Sequence, residues 1–572
     1  MKRLFVLIAV LFTLCLCACN QEKEGYTVTF DTEGGTSIKS QVVELGDYVD
    51  EPKKPKKPGY EFLGWYTDDG NLWPFEFSSP AEDLTLNARW GIATYTITYV
   101  GAKGDVTSYT INDQFDLADG TVVGPYDEFE GWYLDKELTK PITKIEAGTA
   151  KDLILYAKVS ESELAFTLLN DSQYQVASSR MKVTNVIVPE SYKGLPVTRI
   201  NGGAFKNRTS LESISLPSTI TSIGPNAFEG CTSLTTITIP EKVLFLGTRC
   251  FNSCINLSSV TFAGDEIEST GSAVFENCVS LESITLPSKL YYISSNTFKG
   301  CTALDGIVIP ENVTAIYESA FEGCIALTKI VIPKKVTAIN ESAFEGCKTL
   351  KSLRIDGNVT EIGRRAFGSC YLLEQINLPS SLEYIGAEAF CWSNIRRVWI
   401  PDGAIIDAYA FYGCNLLKNV RLPSDLTTIS YGAFSGCSGL EQITLPDTLL
   451  SIEQKAFYHS GIISLEIPNS VVVIGDSAFE GCRRLESVEL SDSLKVIGNS
   501  AFELCTSIKT ISLPMGLTTI GNRAFYNCWS LKSVEVPSSV TSIGQNALPE
   551  IPEDLIADEW DTLEAMPPQP EN

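Results

Sequence analysis

The chain contains a single histidine, His459, among 572 residues. One imidazole leaves no histidine pair for a metal site or for relayed proton transfer. Cations are scarce as well: 44 Lys and Arg stand against 70 Asp and Glu, for a net charge of −26. Phosphate backbones are bound by clustered cations, so this balance excludes nucleic acid as the main partner. Beyond the first 18 residues no run of 18 apolar residues occurs, which excludes a helix spanning a bilayer there. Gly-x-Ser-x-Gly, His-Glu-x-x-His, a phosphate loop and Cys-x-x-Cys are all missing. Carboxylates are plentiful, yet none forms a paired pattern distinct from a charged face. The sequence therefore predicts a protein that is not an enzyme, with no cofactor and no metal ligands.

What the chain has in abundance is a phenylalanine that returns about every 23 residues, from Phe205, Phe228 and Phe251 through to Phe479, Phe502 and Phe525, with Leu548 in the next slot. Each return carries companions. Residues 321–344 show the unit: Phe321-Glu-Gly-Cys324, Leu327-Thr-Lys-Ile330-Val-Ile332-Pro333, then Val336-Thr-Ala-Ile339 and Ala343-Phe344. Alternation at Ile330 and Ile332 predicts a short strand with alternate side chains inward. Pro333 ends it, because proline cannot donate the next ladder bond. Val336 to Ile339 predicts a second extended piece on the opposite wall. A unit this short cannot close its own core and must stack on its neighbours, so the repeats predict a solenoid with a parallel sheet along it.

These residues resemble the BspA-like leucine-rich repeat family of bacteria. The resemblance covers roughly residues 165–548 and implies a mainly β fold, a solenoid of about 15–16 coils of 23 residues. It also implies cell-surface or secreted location and roles in adhesion and recognition, without naming a ligand.

Two similar segments precede the repeats. Residues 26–91 run through Tyr26-Thr-Val-Thr-Phe30, Gly34-Gly35, Phe62-Leu-Gly-Trp65-Tyr66 and Leu84-Thr-Leu86. Residues 95–159 repeat the plan with Tyr95-Thr-Ile-Thr-Tyr99, Phe129-Glu-Gly-Trp132-Tyr133 and Leu153-Ile-Leu155, without the Gly-Gly. Alternating aromatic and β-branched residues between glycine turns predict small β modules. They resemble the internalin-type B repeat, which implies a compact β-grasp-like fold; Trp65 and Trp132 read as core, and the modules as spacers. Residues 164–200 are expected to cap the solenoid within a unit of residues 164–548.

At the start, Met1-Lys-Arg and an apolar run from Leu4 to Ala18 read as a secretory leader, residues 1–18. Leu16-Cys17-Ala18-Cys19 looks like a bacterial lipobox with Cys19 lipidated, an ordinary signal peptide cut nearby being the alternative. Loss of Lys2 and Arg3 with the leader takes the charge from −26 to about −28. Residues 549–572 carry eight acids, five prolines and no base, and read as a disordered tail.

Of 17 cysteines, twelve sit three residues after a repeat phenylalanine, from Cys231 to Cys528. Export would favour disulfides, but one inward slot repeated coil after coil makes each thiol a small buried hydrophobe. Cys250 and Cys391 stand outside that slot. His459 and Trp392 share another slot, two residues after the phenylalanine, in shortened coils with Ser460 and Ser393 in the thiol's place.

One stretch of outward strand positions departs from the Ser, Thr and Glu of other coils: Lys351 and Arg354, Glu374 and Asn377, Arg396, Arg397 and Trp399, Lys418 and Arg421. With parallel strands about 4.8 Å apart, Arg354, Asn377, Trp399 and Arg421 should form one row. Lys351, Glu374, Arg396 and Lys418 should form a second beside it. Lys351, Arg354, Arg396, Arg397, Trp399, Lys418 and Arg421 are thus the candidate ligand-binding residues, arginine and tryptophan being hot-spot types; a chance cluster is the alternative. The expected function is a lipid-anchored surface protein that recognises a protein or glycan on a host or neighbouring cell. Polysaccharide capture for uptake and a structural envelope spacer are the alternatives.

Overall fold

The computed structural model describes residues 25–122, 124 and 126–549. The expected leader with Cys19, and residues 550–572 of the expected tail, lie outside the described residues. The chain divides between Ser162 and Glu163 into two compact units, and among the described residues every regular element is a β-strand.

The first unit holds two modules of one plan. In the first, the strands Gln41–Glu44, Gly25–Asp31, Leu84–Ile92 and Tyr60–Tyr66 lie side by side in that order, the central pair parallel and the outer pairs antiparallel. The second repeats it with Ser108–Thr110, Thr94–Val100, Leu153–Glu161 and Asp127–Tyr133, and adds Pro141–Ile142 at the edge. This is a β-grasp order with loops where a helix would cross. Trp65 (1% exposed) and Trp132 (3%) are the largest core side chains of their modules, each packed against aromatic neighbours such as Phe30 and Phe129. In both modules an aspartate, Asp83 or Asp152, accepts the N–H of the first strand's Thr27 or Thr96 and pins the strand's start.

The second unit is the solenoid. A hairpin of Leu164–Asn170 and Gln173–Ser179 opens it, and its second strand pairs parallel with Leu195–Ile200. From there, two-residue strands such as Ala315–Ile316, Ala338–Ile339 and Glu361–Ile362 stack coil on coil as one wall. The opposite wall is made by the Leu-x-x-Ile-x-Leu strands, for example Lys329–Ile332 on Ser352–Ile355. Ile330 and Ile332 point in, Lys329 and Val331 out.

Between the walls the chain turns through phenylalanine. The fifteen rings from Phe205 to Phe525 form one unbroken stack, with centroids 5.0–5.7 Å apart and planes within 15° of parallel. Near-parallel rings at that separation are offset, the favourable stacked geometry. Left-handed residues flank each ring two positions away on either side, as at Ser342 (φ 53°) and Gly346 (φ 70°) around Phe344. They let the N–H groups of the turn donate to the following coil, as Ser342 does to Arg364, Phe344 to Ala366 and Gly346 to Gly368. Along the wall the sense is reversed: Thr337 and Asn340 donate to Thr314 and Ile316 of the preceding coil.

The twelve ladder thiols are buried and reduced. Each donates to the carbonyl of the preceding coil's phenylalanine, Sγ to O 3.0–3.2 Å, as Cys347 does to Phe321. Ser393 and Ser460 instead place their hydroxyls 3.3 and 3.2 Å from Cys414 and Cys482 of the next coil. Their turns are one residue shorter: Phe390 to Ile395 and Phe457 to Ile462, against Phe321 to Leu327.

The Leu-x-x-Ile-x-Leu wall is less continuous than its sequence predicts. Its strands join in groups of two or four, whereas the opposite wall runs six or more strands at a time. Two of the gaps fall on the strand just ahead of a shortened turn. Residues 373–377 keep only bridges at Gln375, and residues 440–445 form no β-bridge with either neighbour among the described residues, the Glu441 carbonyl alone accepting the Ile463 N–H of the next coil.

Two measurements test this architecture. Phe344→Ala deletes a ring stacked on both sides and should cost roughly 3–5 kcal/mol. The loss should be read as faster amide exchange in the coils of Phe321 and Phe367, with the coil of Phe502 unchanged. Burial pushes the ladder thiols up from 9.0, Cys347 and Cys414 to about 12. The unfolded chain therefore gives up these protons from about pH 9 and the folded one only near 12, so stability should fall as pH rises through that window. A thiol reagent at pH 8 should label none of the ladder cysteines until denaturant is added, and Cys→Ala changes along the ladder should flatten the alkaline decline.

Candidate functional site

The outward positions of the Leu-x-x-Ile-x-Leu wall align across coils because the inward ones are fixed by the core. Val398 and Val420 pack inward, and their register sets Trp399 beside Arg421 and Arg397 beside Asn419. Upstream, Val331 lies beside Arg354, and the bridges Ser352 to Gln375 to Arg397 carry the row across the gap. In the second row the N–H of Arg396 donates to the Glu374 carbonyl (3.1 Å) and that of Lys418 to the Arg396 carbonyl (2.9 Å). The seven candidate residues therefore share one face over four successive coils.

Their charges are not equivalent. Arg354 Nε lies 2.6 Å from Asp356, a residue outside the alternating strand pattern, and Arg396 Nε lies 3.2 Å from Glu374. Such exposed pairs contribute only about 0–1 kcal/mol, but they neutralise the two arginines locally. Lys351, Arg397, Lys418 and Arg421 are exposed and take part in no ion pair among the described residues. Asp402 is held below the usual carboxylate range, first by hydrogen bonds from Ser424 and to a lesser degree by Arg421. Trp399 stands among these cations with 68% of its surface exposed.

The other sequence candidates fall elsewhere. His459 (φ 54°) and Trp392 (φ 59°) occupy the left-handed slot after the phenylalanine. There each ring lies over the glycine of the next coil, Gly481 and Gly413 respectively, where a Cβ would come within 2.6 Å. Burial, with Arg483 nearby, lowers the His459 pKa and favours the neutral imidazole. Cys250 and Cys391 are buried and unpaired by disulfide. Among the described residues no group of three or more His, Cys, Asp or Glu side chains is placed to hold a metal ion.

Comparison with known proteins agrees with this architecture. Residues 198–328, 314–441, 404–494 and 429–551 match the BspA type leucine rich repeat region, and residues 26–89 and 95–158 match the Listeria-Bacteroides repeat domain. A protein of Evansella cellulosilytica is 33% identical over 150 residues, 25% of this chain and 22% of the relative. Internalin H of Listeria monocytogenes is 33% identical over 149 residues, 24% of this chain and 26% of internalin H. The chain thus spans about a quarter of the length of these relatives. Among solved structures, a leucine-rich repeat protein from Bacteroides ovatus aligns with 26% identity and a TM-score of 0.47, covering 68% of this chain and 91% of that one. A leucine rich cell surface protein from Faecalibacterium prausnitzii aligns with 28% identity and a TM-score of 0.42, covering 58% and 93%. With the repeat match extending over more than half of its residues, the chain belongs to the BspA-type leucine-rich repeat family.

Proposed function

We propose that this chain is a non-catalytic recognition protein, tethered outside the cell by lipid at Cys19, that binds a surface protein of a host or neighbouring cell through the Leu-x-x-Ile-x-Leu wall. One observation carries the reading: Trp399, 68% exposed, stands among Lys351, Arg397, Lys418 and Arg421, none of which has an ion-pair partner among the described residues. On a chain of net charge −26 this cationic face is a local reversal of sign. It favours an acidic partner surface and speeds encounter with it. Exposed tryptophan with arginine is the composition of binding hot spots. The glycan-capture alternative is weakened by the burial of Trp65 and Trp132 in their modules, which leaves those rings unable to stack on sugars. Two modules of one plan between anchor and repeats fit a spacing role.

Binding of the unlipidated chain from Asn20 onward to immobilised matrix proteins, and to charged and neutral glycans, tests this. Saturable binding to an acidic protein is expected, with loss on changing Arg396, Arg397, Trp399 and Arg421 together to Ser. Single changes at these exposed positions should alter stability by no more than about 0.5 kcal/mol, so the loss would not reflect unfolding. Saturable binding to neutral polysaccharide alone, or to nothing, overturns the reading. Cys19→Ala in the full chain should move the protein out of the membrane fraction.

A further inference from the structure

The row that contains Trp399 and Arg421 continues past the cationic coils and changes sign. Thr444 follows in the next coil, then Glu466 and Glu489, directly opposite each other on paired strands. Like charges in that position repel, and neither carboxylate has an ion-pair partner among the described residues, whereas the neighbouring Glu441 and Glu486 are paired with Arg484 and Lys509. A groove of about 610 Å³, within the size range of ligand sites, runs over the acidic block and ends at Asn419, which lies beside Arg397 and two residues from Arg421. Asn419, Gln442, Thr444, Ser464, Glu466 and Glu489 are among the residues that line it. It lies along residues 440–445, the stretch ahead of the shortened Phe457 turn that forms no β-bridge with either neighbour among the described residues. From Gln442 to Leu445 the backbone N–H groups donate to no other backbone group.

We propose that this groove binds an extended peptide segment of mixed charge, its acidic side chain toward Arg397 and Arg421 and its basic side chain toward Glu466 and Glu489. This rests on the recognition function proposed above and specifies its partner. Coils stack about 4.8 Å apart, so Arg421 stands about 10 Å from Glu466 and about 14 Å from Glu489 along the row; an extended chain advancing about 3.3 Å per residue covers this in three or four residues. Alternate side chains of an extended chain share a face, so the acidic and basic residues of the ligand are four positions apart, and an apolar residue two positions from the acid meets Trp399. A polypeptide supplies both charges within that span, together with backbone groups for the donors at Gln442 to Leu445. An anionic glycan would meet repulsion from Glu466, Glu489 and Asp447.

Synthetic peptides and the full chain test the assignment. The first peptide carries Asp and Lys four positions apart, the second has the same composition with Asp and Lys adjacent, and the third has Asp at both positions. The spaced peptide should bind best, and it should lose affinity on the order of tenfold in Glu466→Lys/Glu489→Lys and again in Arg397→Glu/Arg421→Glu. The all-acidic peptide should depend on the arginines alone and bind no more weakly to the glutamate variant. Equal binding of spaced and adjacent peptides, or indifference of the spaced peptide to Glu466→Lys/Glu489→Lys, overturns the groove assignment and leaves the cationic face standing. Indifference to Arg397→Glu/Arg421→Glu as well removes the recognition site itself. Binding of an anionic glycan in preference to every peptide overturns the choice of polypeptide.

Discussion

Everything in the repeat unit depends on the register between one phenylalanine and the next. The ring stack alone would tolerate sliding, since offset stacking has a shallow optimum. The thiol three residues on removes that freedom, because its Sγ must reach the carbonyl of the phenylalanine one coil back, as Cys347 does at Phe321. Stack and thiol together fix pitch and rotation. That explains how walls only two residues wide, such as Ala338–Ile339, hold together: the turn positions them, and their own hydrogen bonds are too few to do so. It also explains why the thiols stay inert, since a group enclosed on all sides and pushed to about 12, like Cys347, is neither ionised nor reachable.

Because the core is secured at the turn, the outward positions of the Leu-x-x-Ile-x-Leu wall are released from any structural duty. Lys329 and Val331 point away from the core that Ile330 and Ile332 fill, and the same division holds for Arg397 and Trp399 around Val398. A surface of this kind can change its chemistry coil by coil without changing its shape. The two irregular turns add a local change of shape as well. One precedes the strand of Trp399 and the other precedes that of Glu466, so the charged rows lie on paired strands that border the interruptions.

The periodic part of this architecture was legible in the sequence because each inward residue type recurs at a fixed place, and Phe, Cys and Ile report burial directly. Row alignment follows from the same period, so the pairing of Trp399 with Arg421 is already encoded in the spacing of their strands. The charge state of the face is not. Asp356 lies beyond the strand that carries Arg354, and its approach depends on how the chain leaves the wall, which no alternation encodes. The gaps in the wall were equally hidden, since they fall after turns of full and of shortened length alike. The slots of His459 and Trp392 were located correctly by count, but only the backbone shows that those slots are left-handed and roofed onto glycine.

The opposed hydrogen-bond senses of the turn and the wall have a wider consequence. In the turn, N–H groups such as that of Phe344 point toward the end of the chain; in the wall, groups such as that of Thr337 point toward its beginning. Peptide dipoles aligned in one sense would add up to a field along the axis, as they do in a helix. Here the two sets oppose each other coil by coil, so the long scaffold contributes little net potential of its own. The electrostatic pattern that an approaching molecule meets is then written almost entirely by side chains. A single exchange at an outward position changes that pattern locally, without competing against a field built into the backbone.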